Sequence, residues 1–133
     1  MKIFRQLFLA ACVILLIAVA SCQKDSGGEQ NLVVETLPLA NGHVETPAPG
    51  PDFPLRVTVK SAMPSGGVKI DVTARPDGGT VAFFTSSKTT SSGVTDFTIT
   101  LTPSGVISVV DITVTSVSTS SNKWSGNYKY SRK

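Results

Sequence analysis

Few residues of this 133-residue chain can do acid–base, nucleophilic or metal chemistry. The two cysteines are Cys12 and Cys22, and the single histidine is His43. The chain after residue 53 has neither cysteine nor histidine. That part therefore has no thiol nucleophile, no His-based proton transfer and no zinc site with the usual ligands. We expect no enzyme activity, no cofactor and no metal.

Aspartates are the remaining catalytic candidates in that region, since glycosidases need only two carboxylates. Asp77 stands beside two glycines, where aspartate is typical of a turn. Asp71 and Asp111 fall at outward positions of alternating segments and could face each other on one sheet. Lys69 or Arg75 would otherwise pair with them across strands. We expect these aspartates to be solvated or ion-paired, not catalytic.

Residues 1–21 have the layout of an export signal. Lys2 and Arg5 give a positive start, and the chain from Leu7 to Val19 is almost entirely apolar. About 13 helical residues span roughly 20 Å, which is less than the ~30 Å hydrocarbon core of a bilayer. The segment therefore fits a cleavable signal better than its alternative, an uncleaved N-terminal anchor.

The apolar run ends in Val19-Ala20-Ser21-Cys22. A small residue directly before the cysteine, and an aliphatic residue three positions before it, resemble the lipobox of bacterial lipoproteins. The resemblance implies cleavage before Cys22 and a thioether between the Cys22 thiol and a diacylglyceryl group. It also implies further acylation, for example with palmitate. Two or three acyl chains anchor a protein stably, so the first expected partner is a membrane, through lipid on Cys22.

The next residues, Gln23-Lys24-Asp25, partly resemble the signal that sends Bacteroidota lipoproteins to the outer face of the outer membrane. That signal has a polar or basic residue followed by acidic ones. Here Asp25 is immediate and Glu29 comes later. The resemblance implies a lipid-anchored protein of the outer membrane, exposed at the cell surface. No nucleic-acid partner is expected.

Residues 22–53 are predicted to be a lipid-anchored tether rich in proline and glycine, ending in the sequence TPAPGPDFP. A tether of about 30 residues would hold the domain roughly 30 Å from the membrane. One part is ambiguous, because NLVVETLPL followed by Asn41-Gly42 favours a strand near 31–36 that enters a hairpin turn. Its second strand would be very short.

Residues 54–133 are predicted to form an all-β domain. Apolar and polar residues alternate with a period of two, which is typical of strands with one buried face. The stretch from Thr80 to Ser86 is apolar on both faces and predicts a central strand. The alternating apolar positions are Leu55, Val57, Val59, Val68, Ile70, Val72, Ala74, Phe97, Ile99, Leu101, Val110, Ile112, Val114, Trp124, Gly126, Tyr128 and Tyr130.

Six to seven short strands separated by Gly- and Pro-containing turns predict an antiparallel β-sandwich. The pattern resembles a single immunoglobulin-like or fibronectin type III-like domain. The Cys…Trp…Cys signature of antibody domains is absent, and Trp124 lies on the last strand. The resemblance therefore concerns the pattern of strands and not a specific motif.

The C-terminal strand carries the candidate binding surface. Trp124, Tyr128 and Tyr130 could stack on sugar rings or on a protein partner. Lys123 and Lys129 stand beside them and could bind an anionic ligand. In the alternative interpretation the three rings close the sandwich core, and the lysines protect an edge strand from aggregation.

These observations predict a non-enzymatic interaction or adhesion module at the cell surface. The alternative is a glycan-binding accessory lipoprotein of a polysaccharide-uptake system. The expected ligand is accordingly a protein or a glycan.

Overall fold

The computed structural model describes residues 28–133, which form two β-sheets packed face to face. The predicted signal peptide and Cys22 lie outside these residues. No helix among the described residues is long and apolar enough to cross a membrane. The eight strands are β1 Val34–Leu37, β2 Asn41–Val44, β3 Phe53–Val59, β4 Val68–Pro76, β5 Phe84–Thr90, β6 Val94–Ile99, β7 Ile107–Ser116 and β8 Lys123–Ser131.

One sheet has three strands in the order β1-β3-β6, and the other has five in the order β2-β8-β7-β4-β5. Every pairing is antiparallel except that of β2 with β8. This confirms the predicted all-β antiparallel sandwich. Eight strands form, because two short ones arise in the segment predicted as a tether.

The core lies where the alternating residues of the two sheets meet. Val72 on β4 pairs with Ile112 on β7, and both are almost completely buried. Leu55 and Val57 of β3 face them from the other sheet and are also buried. Each alternating segment thus places one face in the core, as period-two patterning requires.

Part of the segment predicted as a tether is folded, because β1 and β2 belong to the sandwich. β1 pairs with β3 from Val34 opposite Val59 to Leu37 opposite Arg56. β2 pairs with β8 in the other sheet, so Asn41-Gly42 does not close a hairpin with β1. The prolines of this segment lie outside β1 and β2, so the proline-rich composition did not prevent pairing.

Two predicted strand positions are wrong: that of the strand over 80–86 and the end of the strand that includes Leu101. The strand predicted over 80–86 begins at Phe84 and lies at the edge of its sheet, while Val81 is 79 % exposed. The alternation through Leu101 ends at Ile99. Leu101 is 74 % exposed and has a φ of 61°, so the chain has already turned there.

A polar cluster ties the start of the described chain to the loop between β7 and β8, and we call it the clamp. The Glu29 carboxylate accepts hydrogen bonds from the hydroxyls of Ser116 and Ser118 and from the Asn122 amide. The Asn122 side-chain oxygen accepts a bond of 3.0 Å from the Leu32 N–H. These bonds lower the pKa of Glu29, that from Ser118 most. The chain is therefore held from Glu29 onward.

Candidate functional site

The side chains of the five candidate binding residues lie on two different faces of strand β8. Tyr128 and Tyr130 are buried in the core, and Trp124 is half-buried against it. Lys123 is exposed, and Lys129 forms an ion pair of 2.9 Å with Asp77 on the outer face. Successive side chains of a strand point in opposite directions. The aromatic and basic residues therefore do not make one surface.

The Trp124 ring lies beside the segment that leads into β2, close to Gly126 and Ala40. A Cβ at Gly126 would lie 2.7 Å from the Trp124 ring and 2.7 Å from the Ala40 carbonyl oxygen. Only glycine permits this close approach of ring and backbone to β8. Trp124 thus serves packing between β8 and the N-terminal segment.

Tyr128 and Tyr130 instead line a cavity of about 580 Å³, whose other walls come from both sheets. This volume is within the range of roughly 300–1,000 Å³ that is typical of small-ligand sites. The lining residues are Leu37, Pro38, Glu45, Thr46, Ala48, Phe53, Pro54, Leu55, Arg56, Asp96, Phe97, Thr98, Tyr128 and Tyr130.

The inner wall of the cavity is aromatic. The ring centroids of Phe53 and Tyr130 are 4.6 Å apart in a tilted pair, and those of Tyr128 and Tyr130 are 6.2 Å apart. The Tyr130 hydroxyl lies 2.7 Å from the buried Thr102 hydroxyl. Burial raises the pKa of Tyr130, and the bond to Thr102 opposes that shift. Tyr130 is therefore a fixed structural ring.

Tyr128 differs, because its hydroxyl makes no hydrogen bond within the described part of the chain. Burial raises the pKa of Tyr128, and the charges of Tyr130 and Glu45 raise it further. The phenol is thus neutral at ordinary pH, and its O–H is free to donate or accept. It is the clearest polar group on the cavity wall for fixing a ligand.

His43 and Glu45 flank this tyrosine from β2 and the residue after it. The His43 ring stacks on Tyr128 with centroids 6.4 Å apart. Its Nδ1 lies 2.6 Å from the Asn41 side-chain oxygen, and its Nε2 lies 2.6 Å from a Glu45 carboxylate oxygen. Glu45 also lines the cavity, so it brings a carboxylate to the cavity wall.

The opposite rim carries an ion pair. Arg56 donates to both carboxylate oxygens of Asp96, at 2.7 and 3.1 Å. The hydrogen bond from Arg56 is the main cause of a lowered Asp96 pKa. Lys88 donates to the Asp96 carbonyl and lies 4.5 Å from the centroid of the Phe97 ring. The rim therefore offers fixed charges of both signs.

Asp71 and Asp111 are both paired with cationic side chains on the outer surface. Asp71 lies 3.5 Å from the Lys69 ammonium, and Asp111 lies 3.4 Å from the Arg75 guanidinium. Within residues 28–133, no group of three or more His, Cys, Asp or Glu side chains is placed to hold a metal ion.

Sequence reasoning missed most of the cavity. Phe53 and Phe97 are distant in sequence, and no local pattern indicates that Arg56 lies beside Asp96. The one available signal was an aromatic stripe on the last strand, which named Tyr128 and Tyr130. No protein-family model matches this chain, and comparison with curated proteins finds no significant match.

Proposed function

We propose that this protein is a non-enzymatic interaction module, anchored by lipid on Cys22 at the outer membrane and exposed at the cell surface. The observation that carries the proposal is the cavity between the sheets. It combines aromatic walls and a charged rim with the Tyr128 hydroxyl, which has no hydrogen-bond partner among residues 28–133. A site of few polar groups on an apolar wall is typical of ligand recognition.

We infer further that the sandwich is of the immunoglobulin or fibronectin type III kind. In support, β1, β3 and β6 form one sheet, and β4, β5, β7 and β8 lie together in the other. This resembles the partition of immunoglobulin strands, in which A, B and E share one sheet and C, F and G share the other. These domains commonly act in recognition at cell surfaces, although fold alone does not assign function.

The lipid anchor is supported by the lipobox-like sequence before Cys22 and by the partial export signal after it. Mass spectrometry of the membrane fraction should find acylated Cys22 as the first residue. Cys22→Ala should leave the leader attached and abolish acylation. An unmodified Cys22 on the membrane-bound protein would contradict the anchor.

The favoured ligand is an apolar or aromatic side chain of a protein partner, because aromatic rings form the inner wall. Thr46 and Thr98 are exposed residues that line the cavity. Thr46→Trp should narrow the cavity and weaken partner binding by at least about tenfold, equivalent to 1.4 kcal/mol. Thr89→Trp, at an exposed position of β5 away from the cavity, is the matched control. Equal binding by both variants would exclude the cavity as the site.

The second candidate is glycan binding. The observation that favours it is the pairing of aromatic walls with the Glu45 carboxylate, the Arg56–Asp96 ion pair and the Tyr128 hydroxyl. Sugars are held by ring stacking together with polar groups that bond their hydroxyls. A glycan array probed with the domain, with Thr46→Trp as the comparison, separates the two ligand classes. Binding that Thr46→Trp removes would favour the glycan.

A further inference from the structure

We propose that the clamp end of the sandwich faces the membrane and that the cavity is held away from the lipid surface. This inference rests on the proposed lipid anchor at Cys22. It assigns a membrane-facing surface to the loop between β3 and β4, residues 60–67, and to the loop between β7 and β8, residues 117–122. The partner of this surface is the lipid bilayer itself.

The first argument is the length of chain between the lipid and the folded domain. Glu29 follows Cys22 by seven residues, and the clamp holds Glu29 through Ser116, Ser118 and Asn122. Seven residues span at most about 25 Å when fully extended. The clamp end therefore cannot lie farther than that from the acylated cysteine.

Further contacts hold the chain just after the clamp. The Val33 N–H donates to the Ser61 hydroxyl at 3.1 Å, and the Ala62 N–H donates to the Gln30 side chain at 2.8 Å. These bonds tie residues 30–33 to the loop between β3 and β4. The folded domain therefore begins near Glu29 and not at residue 53.

The second argument compares this length with the sandwich. Strand β7 has 10 residues and therefore runs about 30 Å from one end of the domain to the other. In an inverted domain the far end would contact the lipid, and the clamp end would lie about 30 Å from the membrane surface. The connecting chain is too short to allow it, so an upright or tilted domain keeps its clamp end toward the membrane.

The third argument is the position of the cavity along the strands. Val59, the last residue of β3, pairs with Val34 at the clamp end. The cavity is lined by the start of the same strand, from Phe53 to Arg56. Three to six residues of strand correspond to about 10–20 Å. The cavity thus lies toward the far half, where a ligand in the surrounding medium reaches it without displacing lipid.

Energy transfer to a lipid-phase acceptor tests this orientation in the acylated full-length protein. Ser65 is exposed in the loop between β3 and β4, and Ser104 is exposed at the far end between β6 and β7. Acylation blocks Cys22 and cleavage removes Cys12, so Ser65→Cys and Ser104→Cys each supply the single free thiol for a donor dye. The strand length of about 30 Å between the ends should make transfer from residue 65 at least twofold higher than from residue 104.

A lengthened connection is the control. Inserting a Gly/Ser segment of about 20 residues between Gly27 and Gly28 permits inversion and should reduce the difference between the two sites. Equal transfer from both sites with the native connection, or greater transfer from residue 104, would overturn the orientation and leave the proposed anchored module standing. A protein that lacks lipid on Cys22 would overturn both.

Discussion

The two halves of the sandwich are built differently. The clamp half is filled with aliphatic side chains such as Ile70 and Val114, both almost completely buried, and is closed by the hydrogen bonds of Asn122. The other half is walled by aromatic rings around about 580 Å³ of open space, and its Tyr128 hydroxyl makes no hydrogen bond to the part of the chain that the structure describes. Close packing and satisfied polar groups stabilise a fold, whereas open space and an unpaired polar group leave room for a ligand.

The clamp half is therefore the main source of stability in this small domain, and the cavity half contributes less. A domain of about 100 residues has a margin of roughly 5–15 kcal/mol, so it cannot leave both halves loosely packed. Substitutions in the clamp half should therefore act on stability, and conservative substitutions around the cavity should act on binding.

The largest effect is expected from Ile70→Ala. Ile70 is 1 % exposed and pairs with Val114 at the centre of the five-stranded sheet, so its truncation should cost about 2–5 kcal/mol in unfolding free energy. Urea denaturation of residues 28–133 measures this cost. Val117→Ala, at a position 52 % exposed, should change stability by less than about 0.5 kcal/mol. Equal costs for the two variants would break the comparison.

Asn122→Ala should cost about 1–3 kcal/mol, because it removes three hydrogen bonds of a partly buried side chain, each with a net value of about 0.5–1.5 kcal/mol. The Asn122 side chain bonds the Leu32 N–H, the Glu29 carboxylate and the Gln30 carbonyl. Hydrogen exchange should show faster exchange of the Leu32 amide, with little change at Val72 in the centre of β4. Asn127→Ala, at an exposed position of β8, is the control. An unchanged Leu32 amide would mean that the clamp does not hold the chain.

The two tyrosines should respond differently to loss of their hydroxyls. Tyr130→Phe should cost about 1–2 kcal/mol, since it leaves the buried Thr102 hydroxyl without its partner. Tyr128→Phe removes a hydroxyl that has no partner within residues 28–133, so it should change stability by less than about 0.5 kcal/mol while weakening ligand binding. Thermal melts together with a binding assay separate the two effects. A large loss of stability in Tyr128→Phe would contradict its role as a ligand contact.

The smallest effect is a pH dependence at the clamp. The pKa of Glu29 is lowered, chiefly by the Ser118 hydrogen bond. The unfolded chain therefore binds this proton more readily than the folded one. The stabilisation is present above the ordinary pKa near 4.5 and is lost as pH falls through the lowered value. Glu29→Gln should make the free energy of unfolding less dependent on pH below about 4.5. An identical pH dependence in both proteins would show that the clamp does not hold Glu29.

The all-β class and most of the core follow from the pattern of residue types along the chain. Period-two alternation specifies which face of a strand is buried wherever one face meets a core, so Leu55, Val72 and Ile112 could be assigned before the structure. The alternation failed at Leu101, because a pattern of residue types does not show where a strand ends. Burial of Tyr128 and Tyr130 was one of two open interpretations, and the period alone could not choose between them.

The position of the N-terminal segment and the presence of the cavity depend on tertiary contacts. Whether Val34 and Thr36 form a strand depends on the free edge of β3, which lies about 20 residues further along the chain, and local propensity does not report on it. The cavity depends on a gap between Phe53, Phe97 and Tyr128, which come from three separate strands. Local patterning shows that each ring turns inward, but the space left between them follows from the long-range fit of the two sheets.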